Sequence, residues 1–240
     1  DDPLSLNLYT YCMNSPIIRI DPSGHDSYVF YGLPHGENGG FYNQAGIEAR
    51  RLGEKYGTIT HVISVTTEEK FIEEWNKMGS NGAEIDHVSL LFHSNPHNII
   101  IDYTSSEYLT TYSTGQTKGD KGSDATWIGS LDSKKIGTLE LYACNSGHID
   151  HFDDNLAVTF LKSNTINNVY AWDGSMRWTY VLGNLTLAND QHHFNSWSTD
   201  ESRKPKGFIR FYIEDGKIKY EPVKKMKIGM FSKRSRWKYE

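Results

Sequence analysis

Short apolar strands alternate with stretches of helical spacing along most of this chain, and that alternation constrains the fold more than any other feature. Residues 27–31, 59–65, 87–92, 138–142 and 169–172 read as strands, several of them apolar on successive positions as in a sheet covered on both faces. Between them, residues 41–56 carry Ala45, Ala49, Leu52 and Tyr56 at helical spacing, with Gly57 placed as a stop. Thr67 starts a second helix bearing Phe71, Ile72, Trp75 and Met78, which Gly79 ends, and residues 156–161 form a third. Such an order predicts an α/β fold with a mainly parallel central sheet and helices on both faces. Chemistry in these sheets gathers at the carboxyl ends of the strands. Residues 208–220 differ: Asp215-Gly216 between two alternating runs predicts a C-terminal β-hairpin covering a sheet edge. The stretch 102–135, rich in Ser, Thr, Gly and Lys, reads as a long loop, either a substrate flap or a disordered segment.

At 240 residues with 37% hydrophobic content, the chain can bury the core of one large domain or two small ones. The formal net charge of -5 gives no global reason to expect nucleic acid. It hides an asymmetry, because 13 Lys/Arg against 4 Asp/Glu follow from Arg203 onward. No run approaches a membrane span of about 20 apolar residues, and the N-terminus lacks signal-peptide regions, so a soluble chain is expected. The expected division is 1–25 as a linker-like segment, 26–200 as the main domain and 201–240 as a basic hairpin and tail. Two cysteines, Cys12 and Cys144, are too few for a disulfide framework or a Cys-rich zinc site. Cys12 reads as packing; Cys144 is either buried filler or a nucleophile.

Residues 1–25 place two Asp-Pro turns, Asp2-Pro3 and Asp21-Pro22, around a short aromatic segment. Their wording closely resembles the end of the core of Rhs (YD-repeat) toxins, with the pattern DPxGLNLYxYxxNxPxxxxDPxG. It departs at Ser5, where that family usually has Gly. The resemblance implies a polymorphic toxin tip, enclosed in a shell formed by the Rhs core and released by self-cleavage. Asp2 and Asp21 occupy the positions of the aspartates used for that release, not of the tip's own active site. It implies delivery from a bacterium into a target cell and a cognate immunity protein.

Two strands run straight into reactive side chains, SLLFHSNPH into His93 and LELYACNSGH into Cys144. Parallel neighbours would deliver both to one rim. A peptidase needs a sulfur nucleophile, a group that manages protons and donors for the oxyanion, and Cys, His and loop amides supply these. An activated Cys144 is expected to react with thiol probes below pH 7. These runs resemble those of the caspase-like clan of cysteine peptidases, which includes caspases, gingipains, separase and clostripain. In that clan an apolar strand leads to His-Gly and another to Cys after a small residue; Ser94 stands here where the clan has Gly. The resemblance implies a caspase-like fold, His93 as acid/base, Cys144 as nucleophile, the amides of Ser94 and Cys144 near the oxyanion, and a protein substrate. It also implies a substrate pocket at Trp172, Asp173 and Ser175, where a carboxylate would favour Lys or Arg; an Asp-Gly pair is otherwise a simple turn. This chemistry requires no cofactor and no metal.

Other readings stay open. His148, His151 and Asp154 have a spacing that could bind a metal, and with the basic tail they would suit a nuclease toxin. Solvated caps at a helix start are the plainer account of them. A non-enzymatic binding module, with the Cys and His merely packing, is the third reading.

Overall fold

The computed structural model describes residues 26–32, 41–79, 82–102, 105–115, 125–181, 184–191, 197, 200 and 203–223. Asp2, Cys12, Asp21 and the basic tail beyond 223 lie outside the described residues. In chain order the elements begin β1 (Ser27–Gly32), α1 (Tyr42–Tyr56), β2 (Thr60–Val65), α2 (Glu68–Lys77) and β3 (Ile85–Leu91). Then come β4 (His93–Ser94), β5 (Asn98–Asp102), β6 (Glu107–Thr110), β7 (Thr126–Trp127) and β8 (Lys135–Tyr142). They end with α3 (Leu156–Ser163), β9 (Thr165–Asp173), β10 (Ser175–Val181), β11 (Asn184–Gln191), β12 (Gly207–Glu214) and β13 (Lys217–Pro222).

Seven strands form the main sheet in the order β13-β12-β9-β8-β3-β1-β2. The five strands from β9 to β2 are parallel, and the C-terminal hairpin β12–β13 joins antiparallel beside β9. The hairpin therefore lengthens the sheet as well as covering its edge. Asp215 (φ 53°) and Gly216 (φ 71°) both sit in the left-handed region, the pair of conformations that a two-residue hairpin turn requires.

Both faces of the sheet are buried, which explains the continuous apolar runs. Val29, Tyr31, Leu91 and Tyr142 point to one face, where Ala45 and Leu52 of α1 pack on them. Phe30, Val88, Leu90, Leu139 and Leu141 point to the other, against Phe71 and Trp75 of α2 and Leu156 and Phe160 of α3. Each such side chain contributes roughly 1.5–3 kcal/mol on leaving water. The helix ends follow the sequence signals. Thr67 Oγ1 accepts the Lys70 amide at 3.2 Å, and Gly57, at φ 72°, donates its amide to Gly53 at 3.0 Å.

Part of the stretch 102–135 is ordered differently from the expected loop. Strands β4 to β7 make a second, four-stranded sheet that carries the His93–Ser94 strand at its edge. The buried carboxylate of Glu68, on the first turn of α2, accepts the Tyr108 amide (2.8 Å), the Thr126 amide (2.8 Å) and the Thr126 hydroxyl (2.6 Å). Glu107 returns the contact by accepting the Glu68 amide at 2.9 Å. Strands β10 and β11 form a further antiparallel pair with an irregularity between Arg177 and Thr179. Among the described residues no helix is long and apolar enough to cross a membrane.

Candidate active site

Strands β3 and β8 are adjacent and parallel, with Leu91 opposite Tyr142 at their carboxyl ends. His93, which opens β4, and Cys144, in the turn that follows β8, each stand two residues past that pair. Both side chains lie on the side of the sheet that α1 covers. Their surroundings agree. The His93 ring lies 5.2 Å from that of Phe41, while Cys144 Sγ lies 3.4 Å from the Met176 amide and 3.6 Å from its carbonyl. Phe41 and Met176 both pack against the α1-face cluster. The Ser94 hydroxyl donates to the Cys144 carbonyl, tying the two strand exits together. Pairing of His93 with Ile100 and of Ser94 with Ile99 holds the histidine on a strand.

The turn after Cys144 is stitched to β9. Asn145 adopts φ 59° and donates its amide to Gly174 at 2.8 Å, and Gly147 donates to Trp172 at 2.9 Å. A Cβ at residue 147 would stand 2.8 Å from Ala171 Cβ and from the Phe211 ring, so only glycine lets the turn approach this closely.

Burial pushes the half-buried Cys144 thiol above its ordinary range, and the amides of Met176 and of Cys144 itself pull only partly against it. Burial lowers His93, although one side of its ring meets solvent. At neutral pH both groups are therefore uncharged. This departs from the expectation of a preformed thiolate reactive below pH 7. The alkylation rate of Cys144, followed by mass spectrometry on its own peptide, should still be rising above about pH 8.5. A rate that levels off below pH 7 would contradict this.

The residues expected to line a substrate pocket are placed otherwise. Trp172 is fully buried, its ring 4.9 Å from that of Phe208. Asp173 is 1% exposed, and Arg203 reaches both its oxygens at 2.7 and 2.8 Å. The amides of Ile149 and Lys206 also donate to it. Its charge is spent inside the chain, holding the segment of Arg203 and Lys206 that leads into β12, so selection of basic substrates is not what this carboxylate does. Ser175 opens β10, half-buried. Asp173→Ala should lower the unfolding free energy by about 3 kcal/mol, because Arg203 loses its main partner, and should leave cleavage preference unchanged. Denaturant titration and peptide-library profiling check the two halves.

Of the three residues considered for a metal, His148 sits apart from the others in role: it is fully buried, with Arg203 Nη2 3.2 Å from its Nε2. His151 and Asp154 instead meet His97, in the loop after His93. A second group went unnoticed in the sequence, namely Glu48, Arg51, His87 and Glu140, all buried against the middle of the sheet. Arg51 binds Glu48 at 2.5 and 2.8 Å and Glu140 at 2.7 Å, and Tyr142 donates its hydroxyl to Glu140. His87 Nε2 lies 3.5 Å from Glu140. Though Glu48, His87 and Glu140 have metal-binding groups within reach of one another, the Arg51 cation already fills that role. The visible signal was a glutamate inside an otherwise apolar central strand, Leu139-Glu140-Leu141.

Compared with protein-family models, curated proteins and solved structures, the chain matches none.

Proposed function

We propose that this chain is a cysteine endopeptidase of the caspase-like kind, the effector tip of an Rhs-type toxin that cuts a protein inside the cell receiving it. The observation that carries the reading is the matched exit of His93 and Cys144 from adjacent parallel strands onto one face, bridged by the Ser94 hydroxyl on the Cys144 carbonyl.

In the resting site both groups are neutral, so the thiol proton moves to His93 as sulfur attacks the substrate carbonyl. The amides of Cys144 and Ser94 take the oxyanion, and their rigid strand-end placement makes them effective donors. His93 then passes its proton to the departing amine. Water, deprotonated by the same imidazole, releases the acyl group and regenerates the thiol. Delivery from the carrier and neutralisation by an immunity protein rest on residues 1–25 and their resemblance to the Rhs core end.

The decisive experiment expresses the chain in a recipient lacking the immunity partner and maps new protein N-termini by mass spectrometry. New termini that vanish with Cys144→Ala support the reading. Undiminished toxicity of that variant, or chelator-sensitive cutting of DNA or RNA in place of protein, would overturn it.

A further inference from the structure

We infer that His97, His151 and Asp154 form a binding site for a divalent ion of the zinc class, which clasps the loop after His93 to the loop after Cys144. One ligand atom from each of the three lies within 4.8 Å of the others. The His97 Nδ1 is 3.8 Å from the Asp154 carboxylate and 3.3 Å from the Asp154 main-chain carbonyl, a contact that it exchanges for the ion. Two ligands on one tetrahedral zinc, with bonds near 2.05 Å, stand roughly 3.3 Å apart, so small side-chain rotations complete the geometry. The rings of His97 and His151 meet edge to face, with centroids 4.8 Å apart and planes at 85°, which brings them together without stacking.

The surroundings suit an ion more than a chance meeting of polar groups. His151 Nε2 lies 2.9 Å from the Trp197 carbonyl, which draws the ring proton there and leaves Nδ1 with its lone pair. A backbone carbonyl on the far nitrogen is the usual support of a metal-ligating histidine. His97 is 1% exposed and held over the Tyr112 ring at 5.0 Å, so its position is set before any ion arrives. Asp154 is half-exposed, which leaves an entry path and room for a water as fourth ligand. Two imidazoles and one carboxylate select a borderline metal such as Zn²⁺ over Mg²⁺ or Ca²⁺, which prefer oxygen.

The clasp spans two segments that the fold already joins through the Leu156 amide on the Pro96 carbonyl at 2.9 Å and through His97 Nδ1 at 3.3 Å from the Asp154 carbonyl. The first segment follows His93 directly and the second follows the turn of Cys144. An ion here therefore braces the floor beneath both strand exits, without touching either reactive side chain.

The test uses the full chain, stripped with EDTA and titrated with ZnCl₂ by calorimetry and thermal melting. We expect saturable 1:1 binding and a melting midpoint raised by about 5–10 °C at a hundredfold excess over Kd. Asp154→Asn and His151→Gln should each weaken zinc at least tenfold while leaving the metal-free midpoint unchanged. Cys144→Ala should bind zinc as the parent does, which separates this site from the peptidase reading. Loss of binding in Cys144→Ala would place the ion on the thiol and overturn the inference. So would absence of saturable binding, or parental affinity in both ligand variants.

Discussion

Cys144→Ala should reduce cleavage of any protein substrate by about three orders of magnitude or more, with the folded state intact. The large effect follows from the role assigned to the sulfur, since no other described side chain could form the covalent intermediate in its place. The intact fold follows from its contacts: Cys144 Sγ hydrogen-bonds to backbone groups, those of Met176 and its own amide, and the residue is half-buried. His93→Ala should cost about 10²- to 10⁴-fold, the usual worth of a positioned acid/base. The pH profile carries a further check. His93 must be neutral to accept the thiol proton, and burial lowers it from its ordinary value, so the acid limb of activity should lie below about pH 6.5. Progress curves from pH 4.5 to 8 on one fluorogenic substrate, once found, read that limb. An acid limb well above pH 6.5 would mean that a different group controls the reaction.

Arg51→Met should be the most destabilising of the single substitutions considered, at about 3–5 kcal/mol. It leaves Glu48 and Glu140 side by side, at most 1% exposed, without their shared cation. The Ser89 hydroxyl on Glu48 and the Tyr142 hydroxyl on Glu140 cannot replace a guanidinium. Removing the whole group at once by apolar residues of similar volume should cost much less, because no uncompensated charge then remains.

The pH dependence has opposite signs in the two proteins. In the parent, burial would raise the Glu140 carboxyl, but the charges of Arg51 and His87 outweigh it and hold it well below the usual carboxylate range. Its contribution is therefore complete above about pH 4.3 and is lost as pH falls below that toward its folded value. Without Arg51, burial dominates and Glu140 takes up a proton more readily, so the variant's deficit should shrink between pH 7 and pH 5. Urea unfolding at those two values tests this, and an equal deficit at both would show that packing, not charge, sets the cost.

These two substitutions bracket what could be read without coordinates. The exit of residues 93 and 144 from neighbouring strands was legible because each ends an apolar run, and a parallel sheet sends such runs to one rim. Glu140 was overlooked because a single charge does not break a strand's apolar character, and its partners Arg51 and His87 stand 89 and 53 residues earlier in the chain (140 − 51 and 140 − 87). Asp173 was legible as a strand end but not as a spent charge, since Arg203 lies 30 residues away beyond β10 and β11. The β4–β7 sheet was hidden for a similar reason. Its strands are short, and their order depends on distant partners: Ile99, Ile101 and Leu109 join the main core, and the Glu68 carboxylate accepts from Tyr108 and Thr126.

Local chemistry alone determined the alternation of strands and helices, the stops at Gly57 and Gly79, and the Asp215-Gly216 hairpin, because each depends on neighbours within a few residues. Tertiary structure decided which charges are consumed and which meet solvent. That outcome depends on distances between residues far apart in the chain, where an ion's cost or worth is set by burial and by the partner folding brings to it.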